Sequence, residues 1–252
     1  MNCRRYRLDQ VANFRDLGGY ACDGGVTRYG VIFRSTALNK ATEEDIAKIE
    51  HLGVRTVIDL RFPSETKELP DRLGQDMDYI NCSLMGTTKL EQLDIVNSSV
   101  VETKTLHRMY RLMLRNGGKE IKKALEVVAD SEGAVLFHCA AGKDRTGILA
   151  MLILSSVGVE REDILVDYQC SSTYITKFTT DISGSNIYNM KWILNWKKYP
   201  NIIADVRGLG LMQGVEFRNI CVKLEYKVKL YKKSNPSLLK IYICNRLTHD
   251  KN

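Results

Sequence analysis

Cys139 and Arg145 stand six positions apart in the run VLFHCAAGKDRTG (135–147), separated by three small residues, a lysine and an aspartate. A cysteine attacks as its thiolate, and an arginine grips a phosphate with two parallel hydrogen bonds. Together they would set a nucleophile beneath a site for a tetrahedral dianion, the equipment for displacement at phosphorus. The flanking residues say how the two are brought together. Ala134 to Phe137 is a short apolar run, as in a fully buried strand. Ile148 to Val157 (ILAMLILSSV) reads as a buried helix, with Gly158 able to supply a left-handed cap. A loop on such a strand-to-helix turn can aim its backbone N–H groups into one concavity, and the helix adds its positive N-terminal end. The main chain of Ala140, Ala141 and Gly142 belongs to that anion cradle, and a thiol at its base is expected to ionise near neutral pH.

HCAAGKDRTG (138–147) resembles the signature loop of the cysteine-dependent tyrosine and dual-specificity phosphatases. Its Lys143–Asp144 pair is similar to the atypical bacterial branch, some of whose members also act on phosphoinositides. NFRDLGGY (13–20) and VIDLR (57–61) agree upstream, as does Asp167–Tyr168 downstream, and the likeness covers residues 1–195. The resemblance implies a phosphate monoester hydrolase in which Cys139 forms a phosphocysteine and Arg145 clamps two non-bridging oxygens. It implies Asp144 as general acid, with Asp59 second, since no Trp-Pro-Asp is present to supply one. Asp144 could instead brace the loop by capping backbone N–H groups. The resemblance also puts Arg15 and Asp16 beside the site, whereas from spacing alone their segment is equally a plain turn before the strand 31–35.

The remaining polar residues each have two readings. Thr146 is placed to hydrogen-bond the sulfur, or is an ordinary first-turn residue. His138 orients the cysteine backbone and lends positive potential, or is a satisfied structural histidine. Lys143 adds charge at the cradle rim, fitting a doubly phosphorylated or inositol head group, or lies idle in solvent. Asp59 and Arg61 end a strand where open α/β sheets place their ligand crevice, or form a salt-bridged strand end. No metal or cofactor is expected, because main chain and Arg145 supply the positive charge. The expected partner is a phosphorylated protein or a phosphoinositide. A rhodanese-like sulfurtransferase also uses a cysteine loop, although the complete KDRTG run argues against it, and a phosphate-binding module without turnover is the other alternative.

The elements that must position these residues alternate between strand and helix patterns. Thr42-Glu-Glu-Asp begins a helix with acidic residues in its first turn and Gly53 past its end. Val54 to Leu60 reads as a buried parallel strand, and Met77 to Leu84 as a shorter one. The polar stretch from Met85 to Val100 has the length of a lid. Helical apolar spacing covers 105–116 and 119–130, with Gly117–Gly118 as the break, and a further helix is expected over 160–167. This predicts an α/β fold with a mainly parallel central sheet flanked by helices.

The bounds agree. A chain of 252 residues buries a proper core. Seven cysteines, odd in number and never spaced as C-x-x-C, favour reduced thiols and a cytoplasmic location. No apolar stretch follows the N-terminal residues as in a signal peptide, and no run approaches a membrane span. Residues 1–195 carry 25 Lys+Arg against 26 Asp+Glu, whereas residues 196–252 carry 12 against 4. The basicity thus belongs to the tail, which either makes weak contact with anionic surfaces or is a solvated face; no specific nucleic acid is expected. From Ile220 to Leu230 every second residue is apolar, and 238–243 could return as a hairpin partner. Residues 198–217 resemble a piece of the small domain of class III pyridoxal-phosphate aminotransferases, from which no activity is carried over. The chain is therefore divided into a catalytic domain, 1–195, and a basic tail, 196–252.

Overall fold

A computed structural model describes residues 4–84 and 103–175, with two strand segments at 203–206 and 215–217. In chain order the elements are β1 (Arg15–Asp16), β2 (Ala21–Cys22), β3 (Gly25–Val26), β4 (Ile32–Ser35), α1 (Glu43–His51), β5 (Val54–Asp59) and α2 (Pro63–Glu68). They continue with β6 (Asp78–Asn81), α3 (Thr103–Asn116), α4 (Gly118–Asp130), β7 (Ala134–His138), α5 (Asp144–Ser156), α6 (Arg161–Ile175), β8 (Ile203–Val206) and β9 (Val215–Phe217).

Five strands form the central sheet in the order β1-β4-β7-β5-β6, and only β1 is antiparallel to its neighbour. This is the expected α/β class with a mainly parallel sheet. β7 is central, and all five of its residues are buried. Side chains of a strand alternate between faces, so β7 feeds two cores. Val135 and Phe137 join Ile32, Ile58 and the α5 residues Ile148, Leu149 and Ile153 in the larger one. Ala134 and Leu136 join Phe14, Phe33, Val57 and Ile49 of α1 in the other. A strand covered on both faces must be apolar throughout, which is why 134–137 shows no alternation. α5 is buried from Thr146 to Ser155 for the same reason.

The register sets the site. Ser35 of β4 and Asp59 of β5 both pair with His138, so three parallel strands end level, and the Cys139 loop leaves from the middle one. α1 begins with a reciprocal cap: Thr42 Oγ1 accepts from the Asp45 amide at 3.1 Å while Asp45 Oδ2 accepts from the Thr42 amide at 3.3 Å.

Several expectations change. The signature helix starts at Asp144, not Ile148, so Asp144, Arg145 and Thr146 occupy its first turn. The helix expected over 160–167 runs from Arg161 to Ile175. α2 was not anticipated. The lid at 85–100 and the hairpin of 220–230 with 238–243 lie outside the described residues. The strand pair that is described in the tail, β8 with β9, is antiparallel and falls earlier, with Ile203 opposite Phe217.

Candidate active site

The loop carbonyls are all directed away from the cradle. The Cys139 carbonyl lies 3.2 Å from His138 Nδ1, and the Ala140 carbonyl accepts from the Ala37 amide at 3.1 Å. Asn13 Nδ2 donates to the Ala141 and Gly142 carbonyls at 3.3 and 2.8 Å, and Arg34 Nη2 donates to Gly142 at 2.9 Å. Across a trans peptide the N–H of the next residue points opposite to the carbonyl, and among the described residues there is no cis bond. The amides of Ala140, Ala141, Gly142 and Lys143 therefore turn into the concavity, as an anion nest requires. Gly142 has φ 64°, and a Cβ on it would stand 2.0 Å from the Ser35 carbonyl oxygen, so only glycine fits this turn.

Cys139, 3% exposed, lies at the base. Burial pushes its thiol up, but the Arg145 charge and the Thr146 hydroxyl and amide outweigh that, so its pKa falls below the ordinary cysteine value. The Thr146 side chain is fully buried, and its hydroxyl is one of the groups that lower the Cys139 pKa.

Arg145 is held by a residue the sequence reading missed. Glu65 Oε2 and Oε1 accept from Nη1 at 2.5 Å and Nη2 at 3.0 Å. This end-on fork uses one hydrogen from each terminal nitrogen; the side-on pair, Nε–H and a second Nη2–H, remains for an anion. Burial raises the Glu65 pKa, but hydrogen bonding and charge from Arg145 bring it below normal. Pro63 at the first position of α2, with Glu65 two residues on, is the sequence signal that marks this helix start.

Behind the loop lie two buried ionic clusters. In one, Arg15 Nε and Arg34 Nη1 contact the two oxygens of Asp167 at 2.9 and 2.6 Å. Arg15 also donates to the Asp167 carbonyl, at 2.9 Å, and to Ser171 Oγ, at 3.0 Å. In the other, Arg61 Nη2 lies 2.7 Å from Asp59 and 2.8 Å from Asp71, and His138 Nε2 lies 3.1 Å from Asp71. Burial lowers the His138 pKa, but Asp71 and Asp59 overcome it and leave it raised, which favours the protonated ring next to the nucleophile. Asp59, Asp71 and His138 are metal-ligand types within 4.8 Å of one another, but the Arg61 guanidinium already supplies the counter-charge there.

Several of the candidates named from sequence are thus occupied within the protein. Arg15 is 2% exposed and spends its donors on Asp167, Ser171 and Asn13. Asp16 accepts from the Gly18 and Gly30 amides at 2.7 and 2.6 Å, and burial pushes its pKa up to about 6. Asp59, wholly buried, accepts from Arg61 and from the Tyr79 hydroxyl, so it is a strand-end brace and not a free acid. Arg61 is its partner. None of these four touches the cradle; Asn13 and Arg34 hold its carbonyls, and the cradle itself brings together Cys139, the 140–143 amides, Arg145 and Thr146. Asp144 lies at the rim, one carboxylate oxygen 3.6 Å from Lys143 Nζ and the other accepting from Tyr110 and Tyr168.

With this geometry in hand, the comparisons with known proteins place the chain: it belongs to the tyrosine phosphatase family, whose sequence profile matches residues 6–209. A tyrosine-protein phosphatase of Nostoc commune is 35% identical over 158 residues, covering 62% of this chain and 53% of that protein. The triple specificity protein phosphatase PtpB of Mycobacterium tuberculosis is 28% identical over 197 residues, 68% of this chain and 70% of that one. The chain thus spans about half the length of the Nostoc relative. Among solved structures, the core catalytic domain of a PP-IP phosphatase from S. cerevisiae aligns over 68% of this chain and 91% of its own, at 18% identity and a TM-score of 0.34. The aminotransferase-like reading of 198–217 gains no support and is set aside; the family match itself runs into that stretch. Among the described residues no helix is long and apolar enough to cross a membrane.

Proposed function

We propose that this chain hydrolyses phosphate monoesters through a phosphocysteine. The observation that carries the reading is the buried Cys139 sulfur beneath amides turned inward by their outward-bound carbonyls, with Arg145 and Thr146 placed to lower its pKa. The Cys139 thiolate attacks phosphorus, and the bond to the ester oxygen breaks as that oxygen takes a proton from Asp144. Arg145, held end-on by Glu65, offers its side-on edge to two non-bridging oxygens, whose charge the cradle amides share. In the second step water attacks the phosphocysteine and gives its proton back to Asp144. The sulfur leaves as a thiolate stabilised by Thr146, and inorganic phosphate is released.

The substrates are phosphorylated proteins, with phosphotyrosine first, and phosphoinositides second by virtue of Lys143 at the rim. The Nostoc relative's name supports the former. Residues 1–195 carry the catalysis, and 196–252 form a basic appendage in weak contact with anionic surfaces, supported by its 12 Lys+Arg against 4 Asp+Glu. The seven scattered cysteines, none spaced as C-x-x-C, suit a reducing cytoplasm.

The test is release of phosphate by the purified chain from a phosphotyrosine peptide, a phosphoserine peptide and phosphoinositides at matched concentration. Turnover lost in Cys139→Ser with binding kept supports the reading; turnover unchanged in that variant ends it. Sulfur transfer from thiosulfate without phosphate release would move the chain to another chemistry.

A further inference from the structure

Two buried tyrosines bring their hydroxyls to a single oxygen of the proposed acid. Tyr110, from α3, donates to Asp144 Oδ1. Tyr168, from α6, lies 3.3 Å from the same oxygen and 2.8 Å from the Tyr110 hydroxyl. Both tyrosines are buried, at 0% and 2% exposure, whereas the Asp144 side chain is 25% exposed at the rim. Each phenol has one hydrogen to give. That of Tyr110 goes to Oδ1, and that of Tyr168 is better placed on the Tyr110 oxygen, the shorter of its two contacts. The result is a directed chain, Tyr168 to Tyr110 to Asp144. Burial raises the pKa of both phenols, so in the working pH range they stay protonated and act as donors.

In a protonated carboxyl the carbonyl oxygen is the stronger acceptor, so the oxygen that takes the phenol hydrogen favours placing the acidic proton on the other. The proton is left to Oδ2, which lies toward the Lys143 rim, 3.6 Å from Nζ. We propose that Tyr110, backed by Tyr168, is a positioning residue for the general acid: it fixes Oδ1 as the proton-free oxygen and so presents the acidic proton on Oδ2 to the departing ester oxygen. The inference rests on Asp144 being that acid. When the ester bond breaks, the proton moves from Oδ2 to the leaving oxygen, and the new carboxylate charge is met on Oδ1 by the hydrogen bond already there. No atom of either tyrosine is transferred.

The experiment is a series of aryl phosphates from 2,4-dinitrophenyl, which departs without help, to phenyl, which needs a proton. Removing the hydroxyl alone, Tyr110→Phe leaves the ring in the core. The variant should lose roughly tenfold more kcat on phenyl phosphate than on the dinitrophenyl ester, a fraction of the ~10²–10⁴ available to general acid catalysis. Tyr168→Phe should lose less in the same sense, and Tyr110→Phe added to Asp144→Asn should cause no further selective loss. A Tyr110→Phe or Tyr168→Phe enzyme that slows all esters equally, as loosened packing would, overturns the proposal. So does a wild-type leaving-group slope in Tyr110→Phe alongside a steepened slope in Asp144→Asn, and that result leaves Asp144 as the acid. A slope unchanged in Asp144→Asn removes the acid assignment, and the inference with it.

Discussion

Glu65 holds both terminal nitrogens of Arg145, at 2.5 and 3.0 Å, across 80 residues of sequence. Such a fork fixes the plane of the guanidinium, and with it the direction in which the unused edge faces. Glu65→Gln keeps one acceptor and loses the charge. We expect kcat/KM to fall by about tenfold or more, corresponding to ~1.4 kcal/mol of transition-state binding. Affinity for vanadate should drop in parallel. Wild-type values for both would show that Arg145 needs no such partner.

Cys139 should react with iodoacetamide along a pH curve whose midpoint lies below the ~8.5 of free cysteine. Thr146→Val deletes the hydroxyl that faces the sulfur while keeping the side-chain volume, and should move the midpoint upward. A curve that superposes on wild type would take Thr146 out of thiolate stabilisation.

Asp167 links the site to acid stability. Burial alone would raise its pKa, but Arg15 and Arg34 hold it down to about 2. The folded value lies below the unfolded one, so the stabilisation is complete above about pH 4 and is lost as the pH falls through about 2. Its size is on the order of 2 kcal/mol. Asp167→Asn strands two buried guanidinium groups and should cost about 3–5 kcal/mol at neutral pH. Its urea midpoint should also change less between pH 5 and pH 2 than that of wild type; identical pH slopes would reassign the acid sensitivity to other carboxylates.

Gly142 and Gly24 both have positive φ, 64° and 81°, but only at Gly142 would a Cβ meet the neighbouring chain. Alanine at either position carries the left-handed penalty of roughly 1–2 kcal/mol. Gly142→Ala should in addition displace the loop and abolish turnover, whereas Gly24→Ala should keep it. Retained activity in Gly142→Ala would show that the loop can yield without losing its shape.

The signature strand, loop and helix were legible because their information is local: an apolar run too short for a helix, a Cys and Arg at loop spacing, and a helix apolar on every side. The α1 cap and β5 were legible for the same reason. The polar frame was not. Arg34 reaches Asp167 133 residues away and Asn13 reaches Gly142 129 away, and no window of sequence holds both partners. For Asp59 the sequence left a salt-bridged strand end and a functional role equally open, and for Arg15 and Asp16 a plain turn and a place beside the site. In the fold Asp59 pairs with Arg61, Arg15 with Asp167, and Asp16 accepts from two amides, all three buried. Glu65 escaped because α2, at six residues, is too short to show a period. Tyr110 was read as one more apolar member of its helix, and nothing in that spacing reveals that its hydroxyl meets Asp144.

Ser35, Asp59 and His138 share one rung of the sheet. A residue inserted within any of these three strands would advance its outgoing loop by about 3.3 Å and exchange inward for outward side chains. An insertion in the connections entering from the opposite end would leave that rung undisturbed. Length variation should therefore be tolerated at one end of this sheet and lethal at the other, and a scan of single-residue insertions would draw the border just before these three positions.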